Sequence, residues 1–166
     1  MAIILIGGGS RSGKSRHALQ LARQRGRRLG FIATAEALDD EMRERIRVHQ
    51  QERGPDVTTI EEPLALASTI ERHSGDFDAI IVDCLTLWLS NIGPSNVDRE
   101  TTKLLEASLA SPAQLILVTN EVGCGIVPDN PVARRFRDDA GSLNQRVAAA
   151  ASEVYWMVFG CAMRVK

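Results

Sequence analysis

The sequence has no long apolar run, no excess of charge of either sign and no paired cysteines. Each of these absences removes a class of protein. Cys84, Cys124 and Cys161 are scattered and form no C-x-x-C pair. A disulfide framework or a zinc site is therefore not expected, and reduced thiols in a cytoplasmic protein are. The formal net charge is -1, which offers no electrostatic footing for nucleic acid or an anionic membrane. The first apolar stretch, AIILIG at 2–7, is too short to cross a bilayer and lacks the basic start of a signal peptide. It reads as a buried strand, with no membrane insertion expected. Internal repeats, low-complexity tracts and linkers are also missing. What remains is 166 residues, 44% of them hydrophobic, enough for one globular domain over 1–166 with a real core.

Apolar runs alternate with helix-period segments. Strands are expected at 2–7, 28–34, 78–83 and 114–120, with a weaker candidate at 57–62. The segments 153–160 and 162–166 are expected to close the chain as a hairpin around Gly160. Helical periodicity falls at about 15–25, 40–53, 63–73, 84–91, 97–109 and 131–150. Strands that are continuously apolar are buried on both faces, and their alternation with helices predicts a mainly parallel sheet flanked by helices. In such sheets the loops at the carboxyl ends of strands build the ligand site. Two loops are rich in Gly and Pro, NIGPSN (91–96) and NEVGCGIVPDNP (120–131).

GGSRSGKS, residues 8–15, fits G-x-x-x-x-G-K-[ST] between a strand and a helix. Its residues Gly8, Gly9, Ser10, Arg11, Ser12, Gly13, Lys14 and Ser15 form a nucleotide-binding candidate. Glycines let successive backbone N–H groups curl inward onto phosphate oxygens, and the helix start adds its dipole. Lys14 is expected at the β- and γ-phosphates and the Ser15 hydroxyl on Mg²⁺. The apolar strand IIVD ends in Asp83, a second candidate Mg²⁺ ligand.

LDDEMRERIRVHQQERG, residues 38–54, is a helix with little apolar surface. Asp39 and Asp40 suit its start. Met42, Ile46, His49 and Arg53 fall on one face, and Arg45 and Arg53 stand four residues either side of His49. A lone histidine in this setting is ordinarily a surface residue, and His17 and His73 are read that way.

Four segments give His49 another meaning. GGGSRSGKSRHA, IATAEALDDEMRERIRVHQQER, VTNEVGCGIVPDNPVARRFRDDAGSLNQRVAAAA and EVYWMVFG together resemble the bifunctional adenosylcobinamide kinase/adenosylcobinamide-phosphate guanylyltransferase family of cobalamin biosynthesis. The resemblance runs the length of the chain. It implies a P-loop NTPase-like (RecA-like) α/β fold. It also implies two reactions, phosphorylation of adenosylcobinamide by ATP or GTP and then transfer of GMP from GTP to that phosphate. In this family the histidine after the DDEM-type helix start becomes covalently guanylylated, and the matching position is His49. Similar members carry two adjacent histidines there, whereas Val48 precedes His49 in this chain, so His49 is the candidate nucleophile.

The resemblance further implies nucleotide contacts from Ala33, Thr34 and Ala35, from Gln50, Gln51, Glu52 and Arg53, and from an acidic residue matched to Glu61, with Glu62 one register away. Asp83 stands where some relatives carry Glu. Relatives are homotrimers, so a homotrimer is expected. The run Arg134, Arg135 and Arg137 reads either as helix-surface charge or as a substrate-phosphate site. Two other readings of the P-loop remain at this point, a single-activity small-molecule kinase and a nucleotide-dependent switch or assembly ATPase.

Overall fold

The strands that read as continuous apolar runs occupy the middle of a seven-stranded sheet of order β3-β2-β4-β5-β1-β6-β7. The computed structural model describes residues 3–36, 40, 43, 44, 47 and 53–166. The strands are β1 (Ile3–Gly8), β2 (Leu29–Ala33), β3 (Val57–Glu61), β4 (Ala79–Asp83), β5 (Gln114–Val118), β6 (Glu153–Val158) and β7 (Cys161–Arg164). The helices are α1 (Lys14–Arg25), α2 (Leu66–His73), α3 (Leu85–Ile92), α4 (Val97–Ala110) and α5 (Pro131–Ala150). All neighbouring strands pair in parallel except β6 and β7. Every residue of β1, β2 and β5 is buried. At the edge, β3 mixes half-buried and exposed positions, which is why VTTIE reads weakly.

The pleat sorts each strand between two cores. Ile4 and Ile6 face α1 together with Phe31, Ile81, Ile116 and Val118. Ile3 and Leu5 face the opposite side, where α2, α3, α4 and α5 contribute Leu66, Trp88, Leu104 and Leu143. Each such side chain contributes about 1.5–3 kcal/mol of burial. Trp88 is almost wholly buried, and its indole N–H donates to the Leu64 carbonyl at 2.8 Å, so its polar atom is satisfied.

Local chemistry sets the element ends. Asn130 caps α5 by accepting from Val132 N at 2.8 Å, with Pro131 in the first turn. Helical periodicity from 63 becomes helix only from Leu66, because Glu62 accepts from the amides of Leu64 and Ala65 and holds that turn as an entry to the helix. The hairpin forms around a two-residue turn. Val158 pairs with Cys161, while Phe159 and Gly160 take φ of 51° and 82°. Two successive positive φ values are the mark of a type I′ turn. Of the charged segment 40–53, Asp40, Arg43, Glu44, Arg47 and Arg53 are helical. His49, Gln50, Gln51 and Glu52, like Met42, Arg45, Ile46 and Val48, lie outside the described residues.

Candidate active site

The site is built at the carboxyl ends of β1, β2, β4 and β5. As β1 ends, the chain turns through Gly8, at φ 150°, where a Cβ would stand 2.8 Å from the Met157 carbonyl. Gly13, at φ 97°, opens α1. Both positions take backbone conformations that a side chain disfavours. The loop between them is pinned from both flanks. Glu121 N donates to Gly8 O at 3.1 Å, and Gly160 N donates to Ser12 O at 3.1 Å.

Lys14 folds back across this loop, its ammonium donating to Gly9 O at 2.6 Å, and only 8% of the residue is exposed. Burial pushes its pKa below the ordinary lysine value, while the charge of Asp83 and the neighbouring Cys84 push it back up. An ammonium so placed is a fixed positive charge awaiting an anion. The Ser15 hydroxyl donates to the Asp83 carboxylate at 2.5 Å, across 68 residues of sequence. Two hard oxygens side by side at a phosphate cradle fit Mg²⁺, which ordinarily takes one or two protein oxygens and completes its shell with phosphates and water. Among the described residues no group of three or more His, Cys, Asp or Glu gathers to hold a metal alone.

The end of β2 lies beside Asp83, with Ala33 in register with Asp83 on one side and Glu61 on the other. Thr34 is wholly buried. Its hydroxyl donates to Cys84 O and accepts from Cys84 N, both at 2.8 Å, and its amide donates to Asp83 O at 3.2 Å. Thr34 therefore holds the backbone at Asp83 and Cys84 from behind, leaving Ala33 and Ala35 as the small side chains of that strand end. Cys84 is no nucleophile, since burial and the Asp83 charge push its thiol up to about 11.

Arg53 is the one described residue of the Gln50–Arg53 group. Its guanidinium carbon lies 3.5 Å from the centroid of the Phe31 ring, and Nη1 donates to Thr59 Oγ1 at 3.3 Å. Only 8% of the residue is exposed. Burial lowers its pKa, opposed by the negative charges of Asp83 and Glu61. Arg23 holds the backbone here, donating to the Arg53 carbonyl at 2.8 Å while paired to Asp56. A second buried cation thus stands on the sheet near the Ser15–Asp83 pair. Glu61 and Glu62 differ in their surroundings. Glu62 is spent capping α2 and bonding Thr69, whereas Glu61 is exposed at the strand end.

Two groups were not legible. Thr86 bonds Asn120 N at 2.7 Å, and Thr119 donates to Asn144 Oδ1 at 2.7 Å. Together they fix the end of β5 beside the P-loop. Neither Thr86 nor Asn144 carries a motif, so no signal in the sequence marks them. The Arg134, Arg135 and Arg137 run also resolves. Arg134 donates to Pro128 O and Asp129 O, Arg137 to Gly123 O, and Arg135 pairs with Asp139. Arg134 and Arg137 thus brace the 120–131 loop, and Arg135 also donates to Pro94 O at 3.4 Å, reaching the 91–96 loop. His17 packs edge-on to Tyr155 at 5.1 Å, and His73 sits 3.4 Å from Asp76 at the end of α2, in keeping with ordinary structural roles. On the α5 side of the sheet an apolar cavity of about 520 Å³ opens beside Gly7, Thr119 and Trp156.

Residues 4–165 match the family model described as cobinamide kinase / cobinamide phosphate guanyltransferase. The chain is 44% identical to the bifunctional adenosylcobalamin biosynthesis protein CobP of Pseudomonas aeruginosa, covering 98% of this chain and 96% of that one. It is 41% identical to the bifunctional adenosylcobalamin biosynthesis protein CobU of Salmonella typhimurium, covering 99% of each. Among solved structures, the flagellar accessory protein FlaH from Methanocaldococcus jannaschii superposes with a TM-score of 0.56 at 14% identity, covering 99% of this chain and 78% of that chain. The RadB recombinase superposes with a TM-score of 0.52 at 14% identity, covering 93% of this chain and 73% of that chain. These likenesses concern the fold alone.

Proposed function

The chain belongs to the cobinamide kinase / cobinamide phosphate guanyltransferase family, and from that premise we propose that it carries out both reactions on adenosylcobinamide. In the first, a substrate hydroxyl attacks the γ-phosphorus of ATP or GTP. The bond to the β-phosphate oxygen breaks, and a nucleoside diphosphate leaves. In the second, His49 attacks the α-phosphorus of GTP and pyrophosphate leaves. A phosphate oxygen of adenosylcobinamide phosphate then displaces the imidazole, giving adenosylcobinamide-GDP and free histidine.

The observation that carries this reading is the pair of buried cations around one carboxylate–hydroxyl pair. Lys14 bonds Gly9 O at 2.6 Å, Ser15 bonds Asp83 at 2.5 Å, and Arg53 lies 3.5 Å from the Phe31 centroid. Both reactions put negative charge on bridging or leaving phosphate oxygens, and preorganised cations in a water-poor site stabilise that charge. Lys14 orients the terminal phosphates, the amides of Gly9 to Ser15 line the cradle, and Arg53 closes it from the β2 side with Ala33, Ala35 and Glu61 nearby. Mg²⁺ held by Ser15 and Asp83 would supply charge neutralisation on the phosphate oxygens. Neutral imidazole is a competent nucleophile near pH 7, and Arg53 ties the end of the His49 segment to the sheet.

We assign the protein to the cytoplasm as a homotrimer. Three unpaired cysteines fit a reducing compartment. The exposed edge strand β7 with Met163, the following Val165, and the exposed Ile126, Val127 and Val132 offer apolar surface for neighbouring copies.

The test is to incubate the protein with GTP labelled at the α-phosphate and look for acid-labile label on the chain. Wild type is expected to retain it and His49→Asn to lose it. Equal retention in the variant refutes the guanylyl-histidine. No retention in either, with γ-transfer intact, leaves a kinase alone.

A further inference from the structure

The kinase reaction needs a group to take the proton of the attacking hydroxyl, and no residue of the site described above has that role. Among the described residues, the carboxylates at or just past the carboxyl ends of the parallel strands are Glu36, Glu61, Glu62, Asp83 and Glu121. Glu62 holds the start of α2, and Asp83 accepts the Ser15 hydroxyl. Glu36 follows β2 and Glu61 ends β3, three and four strands from β1 in the sheet order. At about 4.8 Å per strand, they stand roughly 14 and 19 Å to the side of the cradle. Glu121 is different. It follows β5, the strand beside β1, and its amide donates to Gly8 O at 3.1 Å. The next carbonyl, Gly9 O, accepts the Lys14 ammonium at 2.6 Å. Glu121 and the lysine that orients the terminal phosphates therefore hang on adjacent peptide units, whose Cα atoms lie about 3.8 Å apart.

The carboxylate is also held in place. Its Oε1 accepts from Gly123 N, and a Cβ on Gly123 would stand 2.6 Å from that oxygen, so the turn closes on the carboxylate as only glycine allows. Gly123 O accepts from Arg137, which ties the turn to α5. Glu121 Oε2 has no partner among the described residues. The nucleotide contacts assigned above, Ala33, Ala35 and Arg53 on its Phe31 ring, lie on or beside β2, past β4. Phosphoryl transfer is in line, so the acceptor hydroxyl meets the γ-phosphorus on the side away from the leaving diphosphate. The end of β5 and the 120–131 loop stand on that side. We infer that Glu121 is the general base of the kinase reaction, an inference that rests on the functional reading above. As the hydroxyl oxygen bonds to the γ-phosphorus and the bond to the β–γ bridging oxygen breaks, the hydroxyl proton passes to Oε2 and then to solvent. The second reaction asks nothing of this carboxylate. Its nucleophiles, a neutral imidazole and an ionised phosphate oxygen, each attack through a lone pair that carries no proton.

The full-length variant Glu121→Gln tests this. Its side-chain oxygen still accepts from Gly123 N, so the turn is kept, but an amide takes up no proton at neutral pH. With adenosylcobinamide and γ-labelled ATP or GTP, kcat of the kinase step is expected to fall by about 100-fold or more, with the nucleotide KM little changed. Label carried on the chain from α-labelled GTP, and its transfer to supplied adenosylcobinamide phosphate, are expected to match wild type. That retained label also reports a folded variant. Kinase turnover like that of wild type in Glu121→Gln overturns the inference. If only Glu121→Ala then loses the kinase step, the carboxylate is a mere support of the turn. An equal loss of both reactions in Glu121→Gln also overturns it, since the residue would then hold the cradle as a whole. If wild type does not phosphorylate adenosylcobinamide, the functional reading fails and this inference with it, whereas a wild type active in both reactions confines any failure to Glu121.

Discussion

Replacing Arg53 by Met separates the two things a buried arginine can do. The guanidinium lies 3.5 Å from the Phe31 centroid and is 92% shielded from solvent, given its 8% exposure. A desolvated cation–π contact of this kind stabilises by about 2 kcal/mol. The bond to Thr59 at 3.3 Å is long and adds under ~1 kcal/mol. Against these stands the cost of keeping a cation out of water, several kcal/mol even after relaxation. The Met side chain keeps most of the volume against Phe31 and removes that cost. The opposing contributions nearly cancel, so stability should change by no more than about 1 kcal/mol, a Tm shift of about 2–4 °C for a chain of this size. The nucleotide loses a charge-assisted hydrogen bond of about 1.5–3 kcal/mol, or about 10- to 150-fold in Kd. Thermal unfolding and calorimetric titration with α,β-methylene-GTP measure the two quantities on one preparation. A variant that loses more than ~3 kcal/mol of stability yet binds the nucleotide like wild type would refute the reasoning. Arg53 would then be a structural post and not part of the phosphate site.

Ser15→Ala and Asp83→Asn should each lower kcat of the kinase step by about 100-fold or more. Because the two side chains share a hydrogen bond at 2.5 Å, the double variant should lose far less than the product of the two, and a multiplicative loss in steady-state assays would show that they act separately. His17 gives a pH dependence. Burial holds its folded pKa below the ordinary 6.5, with a Gln20 hydrogen bond opposing. The folded state therefore binds fewer protons than the unfolded chain. The contribution is fully present above about pH 6.5 and is lost as pH falls through the folded pKa. Urea titrations between about pH 7 and 5 should find a shallower loss in His17→Gln than in wild type, and parallel curves would show that His17 does not contribute.

Much of the site could be read along the chain because its signals are short-range. A strand, a glycine turn and a lysine opening a helix fall within thirteen consecutive residues, Ile3 to Ser15, and each requirement is local: buried apolar side chains, positive φ, a helix N-terminus. The closing hairpin was legible for the same reason, since Gly160 sits between two apolar runs. Asp83 was legible as the polar end of an apolar strand. Residues doing work across the fold were less so. Thr34 read as a nucleotide contact implied by family resemblance, yet its hydroxyl is taken up by the Cys84 backbone 50 residues away. Arg134 and Arg137 read as surface charge, with a substrate-phosphate site as the other reading, and only the fold shows their carbonyl partners in the 120–131 loop.

By itself, then, the sequence determined the parallel α/β layering, the cradle and its lysine, because hydrophobic period and backbone freedom act between near neighbours. The tertiary structure alone decided that β4 lies two strands from β1, so that Asp83 meets Ser15. It also decided that Arg53 rests on Phe31, that Glu62 is a cap, and that Glu121 stands beside Gly8. Strand order is chosen by packing the whole sheet between its two helix layers, and no local pattern encodes which strands become neighbours.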